Sequence, residues 1–191
     1  MKIGLYFGSF NPIHIGHLII ASHVINTTDI KKVWFVISPQ NPLKPSKTLL
    51  NEYQRLYLIN LAIEDDPNLQ ASNIEFKLPR PSYTINTLAY LKEKYTQHQF
   101  SVIMGSDSFQ NIKKWKNNDQ LIKENEIIVY KRPGFEINII NAHVIILNDT
   151  PLLEISATSI RSMINQGKSI RYLVHDKVRN EIEKSGYFKT K

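Results

Sequence analysis

Three stretches of strand length, residues 3–7, 32–38 and 100–104, are apolar almost throughout, and each leads, directly or after a loop, into residues with apolar positions at helical spacing. A strand that reads as a near-continuous apolar run is covered on both faces, which is the condition of a parallel sheet flanked by helices. The expected fold class is therefore α/β, a doubly wound, mainly parallel sheet. Further strands are expected at 74–78, 126–130 and 144–147. Helices are expected at 18–25, from Asn51 to the Asp65-Asp66-Pro67 stop, at 85–95 with Thr84 as N-cap, at 112–125 carrying Trp115, from 155 to about Gln166 with Gly167 as cap, and at Asp176–Ser185. No repeat or linker divides the chain, so one domain over 1–191 is expected, with a helical C-terminal part from about 156.

The turn after the first strand carries the densest chemistry: Phe7-Gly8-Ser9-Phe10-Asn11-Pro12-Ile13-His14-Ile15-Gly16-His17. A helix N-terminus with free N–H groups is already an anion site, and two imidazoles three residues apart add donors on one side of its first turn. Gly8 is expected to permit the tight turn, and Gly16 to let a ligand approach the backbone. A His-x-x-His pair can also be half of a metal site. No Cys or acidic cluster accompanies it, so phosphate is the better ligand. His23, with no motif around it, reads as an ordinary solvated histidine.

Two further strand or helix ends point the same way. The strand at 100–104 closes on Gly105-Ser106-Asp107 and delivers a carboxylate beyond its carboxyl end, where open α/β sheets bind ligands. The late segment Ile155-Ser156-Ala157-Thr158-Ser159-Ile160-Arg161 brings two capping hydroxyls and a guanidinium to one helix start. Capping explains Ser156 and Thr158 but not Arg161, since the dipole there is already positive.

Composition narrows the classes. Hydrophobic residues are 42% of the chain and no apolar run reaches the roughly 18 residues of a membrane helix. There is no cysteine, which removes disulfides and thiolate chemistry. A cytoplasmic location is the default expectation. The net charge is +7, of which residues 156–191 supply +5 from eight Lys/Arg against three Asp/Glu. Those charges alternate in sign along Asp176–Ser185, as on a solvated helix face, so neither nucleic acid nor membrane is the expected partner.

With both anion sites placed, the chain resembles the nucleotidylyltransferase superfamily, whose signature is a His-x-Gly-His turn early and an Ile-Ser-x-Thr-x-Ile-Arg segment late. Within that group it is similar to the bacterial nicotinate-nucleotide adenylyltransferases through Ser82-Tyr83-Thr84 with Thr87-Leu88, Gly105-Ser106-Asp107 and Trp115. It departs from them at Phe7, where a second Gly is usual, at Asn11, where Asp is usual, and at Leu43-Lys44, where Pro-His-Lys is usual.

The resemblance implies a Rossmann-like nucleotidylyltransferase fold. It also implies adenylyl transfer from ATP, with Mg²⁺ on the triphosphate, to nicotinate mononucleotide. On the same ground His14, His17 and Arg161 are the catalytic residues. ATP is assigned to Gly8, Ser9, Phe10, His14, Gly16, His17, Gly105, Asp107, Ile155, Ser156, Thr158 and Arg161, with Asp107 toward the adenosine. The acceptor is assigned to Ser9, Lys44, Tyr83, Thr84 and Trp115, the indole stacking on the pyridine ring. No protein metal ligand is assigned, and a homo-oligomer is compatible with the sequence. The rival readings are another phosphate acceptor, nicotinamide mononucleotide or pantetheine phosphate, and a basic nucleic-acid-binding module.

Overall fold

The computed structural model describes residues 1–39, 49–137, 143–151 and 153–189. The apolar runs form six strands: β1 Lys2–Gly8, β2 Lys32–Ile37, β3 Leu69–Ser72, β4 Gln99–Gly105, β5 Glu126–Tyr130 and β6 Val144–Leu147. All neighbouring pairs are parallel, in the order β3-β2-β1-β4-β5-β6. The sheet is wound outward in both directions from β1, so the crevice between the carboxyl ends of β1 and β4 is the topological switch point.

The helices are α1 Ile15–Thr27, α2 Glu52–Ile63, α3 Thr84–Lys94, α4 Ser106–Gln110, α5 Asn118–Glu124, α6 Ala157–Asn165 and α7 Asp176–Ser185. Although the strands read as continuous apolar runs, their side chains still alternate between two cores. Val33, Phe35 and Ile37 of β2 join Ala21, Val24, Leu58, Val178 and Ile182 on one face. Trp34 and Val36 join Leu88, Leu91, Phe109 and Leu121 on the other. The alternation comes from the period of two in a strand, and the uniform composition from both sides being covered.

Four local expectations are corrected. Residues 74–78 are not a strand: Ile74–Lys77 is a 3₁₀ turn, and the third strand lies upstream at Leu69–Ser72. The turn is fixed by Glu75, whose buried carboxylate accepts Ser82 Oγ at 2.6 Å and Thr87 Oγ1 at 2.9 Å, contacts a strand could not bring together. Thr84 is not an N-cap but the first helical residue of α3, the cap being Tyr83 in extended conformation. The helix expected at 112–125 is broken. Ile112–Lys114 is a 3₁₀ turn, Trp115 is extended at φ −83° and ψ 146°, and Asn117 is left-handed at φ 50° before α5 begins. Asp107 stands in the first turn of the short α4 instead of in a loop.

Candidate active site

Beyond the carboxyl ends of β1 and β4 lies a cavity of about 1150 Å³. Gly8, Ser9, Phe10, His14, Gly16 and His17 line it from the β1–α1 turn, Gly105 and Asp107 from β4, and Ile155, Ser156, Thr158 and Arg161 from the start of α6. Tyr83, Thr84 and Trp115, from the start of α3 and the segment before α5, line it as well. Segments far apart in sequence are thus gathered into one space. Lys44 lies outside the described residues.

The two histidines form a preorganised pair. His14 is the N-cap of α1 and His17 the third residue of the helix, and their rings stack with centroids 3.6 Å apart at 22°. The His14 backbone N–H donates to His17 Nδ1 at 3.3 Å. That nitrogen is therefore an acceptor, and the neutral ring carries its proton on Nε2. Burial, with the Arg132 guanidinium nearby, lowers the His14 pKa to about 4. Burial, His14 and Arg132 hold His17 well below the usual imidazole range. Both rings are neutral at physiological pH and act as hydrogen-bond donors without bringing charge.

Two glycines matter for reasons in addition to those expected. A Cβ on Gly8 would lie 2.8 Å from Phe10 Cζ, so the absent side chain leaves room for the buried Phe10 ring. A Cβ on Gly16 would lie 3.1 Å from His14 Nδ1. Gly16 therefore also seats the His14 imidazole. Phe10 itself is left-handed at φ 46°.

The late segment docks on this turn. Arg161 Nη1 donates to Asn11 O at 2.8 Å, and Nη2 to Thr158 Oγ1 at 3.2 Å. The position expected to be Asp is Asn11, whose Oδ1 accepts the Leu50 N–H at 3.1 Å, a role an amide fills as well as a carboxylate. Ser156 is the cap of α6 and accepts the Ser159 N–H at 3.1 Å. Thr158 is inside the helix, and Arg161 stands one turn further in than expected. The N–H groups of Ala157 and Thr158, in the first turn, have no intrahelical acceptor and line the cavity.

Three residues here escaped the sequence reading. Arg55 of α2 is fully buried and donates to four carbonyls: Leu50 O at 3.0 Å, Ser9 O at 2.6 Å, Ser38 O at 2.9 Å and Pro39 O at 3.1 Å. Burial lowers its pKa to about 10, so it remains a cation at neutral pH beneath the Ser9 turn. Arg132 pairs with Asp107 at 3.0 Å and lies close enough to the histidines to lower their pKa values. Glu75 holds the start of α3 as described. Nothing in the sequence marked Arg55 or Glu75, because each satisfies its partners from the middle of an unremarkable segment. Arg132 had a signal: it stands two residues beyond β5, at the same sheet end as Asp107.

The model of the cytidylyltransferase-like family matches residues 5–163. A Flavobacterium psychrophilum protein described as "Probable nicotinate-nucleotide adenylyltransferase" is 49% identical over 192 residues, covering 99% of this chain and 100% of its own. A Cytophaga hutchinsonii protein of the same description is 48% identical over 189 residues, covering 98% of each chain. Among solved structures, Plasmodium falciparum nicotinic acid mononucleotide adenylyltransferase complexed with NaAD matches with a TM-score of 0.83 and 22% identity, over 98% of this chain and 97% of its own. The same protein complexed with APC gives 0.81 and 21%, over 98% and 96%. At such identities the structural likeness establishes the Rossmann-like fold.

Proposed function

We propose a reaction from the premise that this chain belongs to the cytidylyltransferase-like family and, within it, to the nicotinate-nucleotide adenylyltransferases. The chain transfers the adenylyl group of ATP to nicotinate mononucleotide, giving nicotinate adenine dinucleotide and pyrophosphate in NAD biosynthesis. The observation that carries the site assignment is the tether from Arg161 to Asn11 O, which sets the start of α6 against the start of α1 across one cavity.

A phosphate monoester is ionised at neutral pH, so the acceptor needs no protein nucleophile. Its oxygen attacks the α-phosphorus, a new P–O bond forms, and the bond to the pyrophosphate oxygen breaks with the electron pair leaving on pyrophosphate. The protein's task is to align two anions and to stabilise charge on the equatorial and leaving oxygens. The Nε2–H of His17 and the neighbouring His14 ring donate to the transferring group. Arg161 and the free N–H groups of α6 take the leaving phosphates, and Arg132 adds a cation opposite. Neutral imidazoles suit this role, since a donor proton is retained through the cycle.

Mg²⁺ enters as part of the ATP complex, where it neutralises the departing pyrophosphate. Among the described residues no group of three His, Asp, Glu or Cys is placed to hold a metal, so no step is assigned to a protein-bound ion. No described helix is long and apolar enough to cross a membrane. Adenosine is assigned to the Asp107 side of the cavity. The pyridine ring is assigned to Trp115, whose half-exposed side chain lines the cavity with Tyr83 and Thr84. We read residues 1–191 as one catalytic unit.

The test is release of pyrophosphate from ATP and Mg²⁺ with each of three acceptors: nicotinate mononucleotide, nicotinamide mononucleotide and pantetheine phosphate. Turnover fastest with the first is expected. Turnover only with pantetheine phosphate would overturn the acceptor assignment.

A further inference from the structure

Three successive residues, Lys114, Trp115 and Lys116, line the cavity. In an unbroken helix each side chain would diverge from the next by about 100°, and one would face away. The backbone break between Ile112–Lys114 and α5 removes that constraint. The Lys116 ammonium is held 4.7 Å from the centroid of the Tyr83 ring, beside Thr84 in the first turn of α3. Among the described residues no carboxylate pairs with it.

The acids of the lining are Glu75, Asp107 and Glu154; Glu75 is buried and already bound by the hydroxyls of Ser82, Thr87 and Ser38. Asp107 is paired with Arg132 at the other end. The Trp115 N–H is also engaged, donating to Ile112 O at 2.9 Å, so it is not a donor for a ligand. The positive field in this part of the cavity therefore comes from the α3 start and from lysine.

Resting on the acceptor assignment above, we infer that Lys116 is a specificity-determining residue, its ammonium, held over Tyr83, selecting the carboxylate of a nicotinate ring against the neutral amide of nicotinamide. An aromatic face positions a cation without neutralising it, leaving its N–H donors for an anion. The amide gains no such ion pair. Because Lys116 is exposed, water and salt screen the interaction.

The test compares kcat/KM for nicotinate and nicotinamide mononucleotide in the wild-type protein and in Lys116→Met, Lys116→Arg and Lys113→Met. Lys113 is exposed and does not line the cavity, so it controls for loss of charge. Lys116→Met should lower the acid's kcat/KM by about fivefold to tenfold, the scale of a partly screened charge-assisted bond. The loss should fall on KM, with the amide unchanged. Lys116→Arg and Lys113→Met should keep the preference, and about 0.5 M salt should shrink it in the wild type but not in Lys116→Met. Equal losses for both substrates in Lys116→Met, or an unmoved preference, would overturn the inference alone. No turnover of either mononucleotide by the wild type would overturn the acceptor assignment and this inference with it.

Discussion

At the end of the cavity proposed to hold the phosphates, Arg161 reaches Asn11 O across 150 residues of sequence and Arg55 reaches Ser9 O across 46, so the turn is fixed by distant side chains. At the end proposed for the pyridine ring the contacts span less of the sequence. Glu75 binds hydroxyls 7 and 12 residues away, and Lys116 rests on Tyr83 from an exposed segment between two short helical turns. The first construction holds its donors in place before any ligand arrives, as stabilisation of a transition state requires. The second leaves side chains partly in water, where they can discriminate between acceptors without setting the rate. Substitutions at the two ends should therefore separate into effects on kcat and effects on KM.

The largest effect is expected for His17→Ala, on the order of 10²-fold or more in kcat with little change in nucleotide affinity, the scale of losing one preorganised donor. Unchanged single-turnover rates in the folded variant would remove this histidine from the chemistry and erase the contrast. Acid stability comes next. The His14 pKa is lowered from 6.5 in the unfolded chain to about 4, so folding favours the neutral ring. The unfolded state then binds more protons between those values. The stability this contributes is complete above pH 6.5 and is lost as pH falls toward 4, on the order of 3 kcal/mol. Chemical denaturation of the wild type and His14→Gln at pH 7 and pH 4.5 checks it, the variant losing less.

A smaller loss is expected for Arg161→Lys, about tenfold to thirtyfold in kcat/KM and shared between KM for ATP and kcat. An ammonium keeps the charge but cannot bridge Asn11 O and Thr158 Oγ1 with a planar fork. Full activity in this variant would show that a point charge suffices. Trp115→Ala should act least on the rate: about tenfold in KM for both mononucleotides, the range of one ring stacked on an aromatic side chain. A selective loss of one substrate would shift discrimination from Lys116 to the indole.

The same division governs what could be read from the sequence. Strands with both faces covered announce themselves by composition, so the central strands and the parallel sheet they form were legible. The expected strand at 74–78 and helix at 112–125 failed for a common reason. Both patterns are apolar enough for regular structure, but Glu75 is bound by hydroxyls from the start of α3, and Asn117 adopts a left-handed backbone. Those are tertiary and single-residue effects that periodicity does not register. The packing of the His14 ring against the missing Cβ of Gly16 was likewise not legible, since it depends on the ring's rotamer. Arg55 was invisible because its four partners are carbonyls, which every residue has.

The tether between Arg161 and Asn11 also gives the site a schedule. During synthesis the histidine turn is made 144 residues before the cation that ties it to α6, from His17 to Arg161. At about 5 to 20 residues per second that interval is roughly 7 to 29 s. By its end the nascent chain holds one half of the proposed phosphate site and all six strands, β1 to β6. Ribosome-bound chains stalled before residue 161 should carry an ordered sheet and no adenylyl transfer, and activity should appear with the last helices instead of accumulating as the sheet grows.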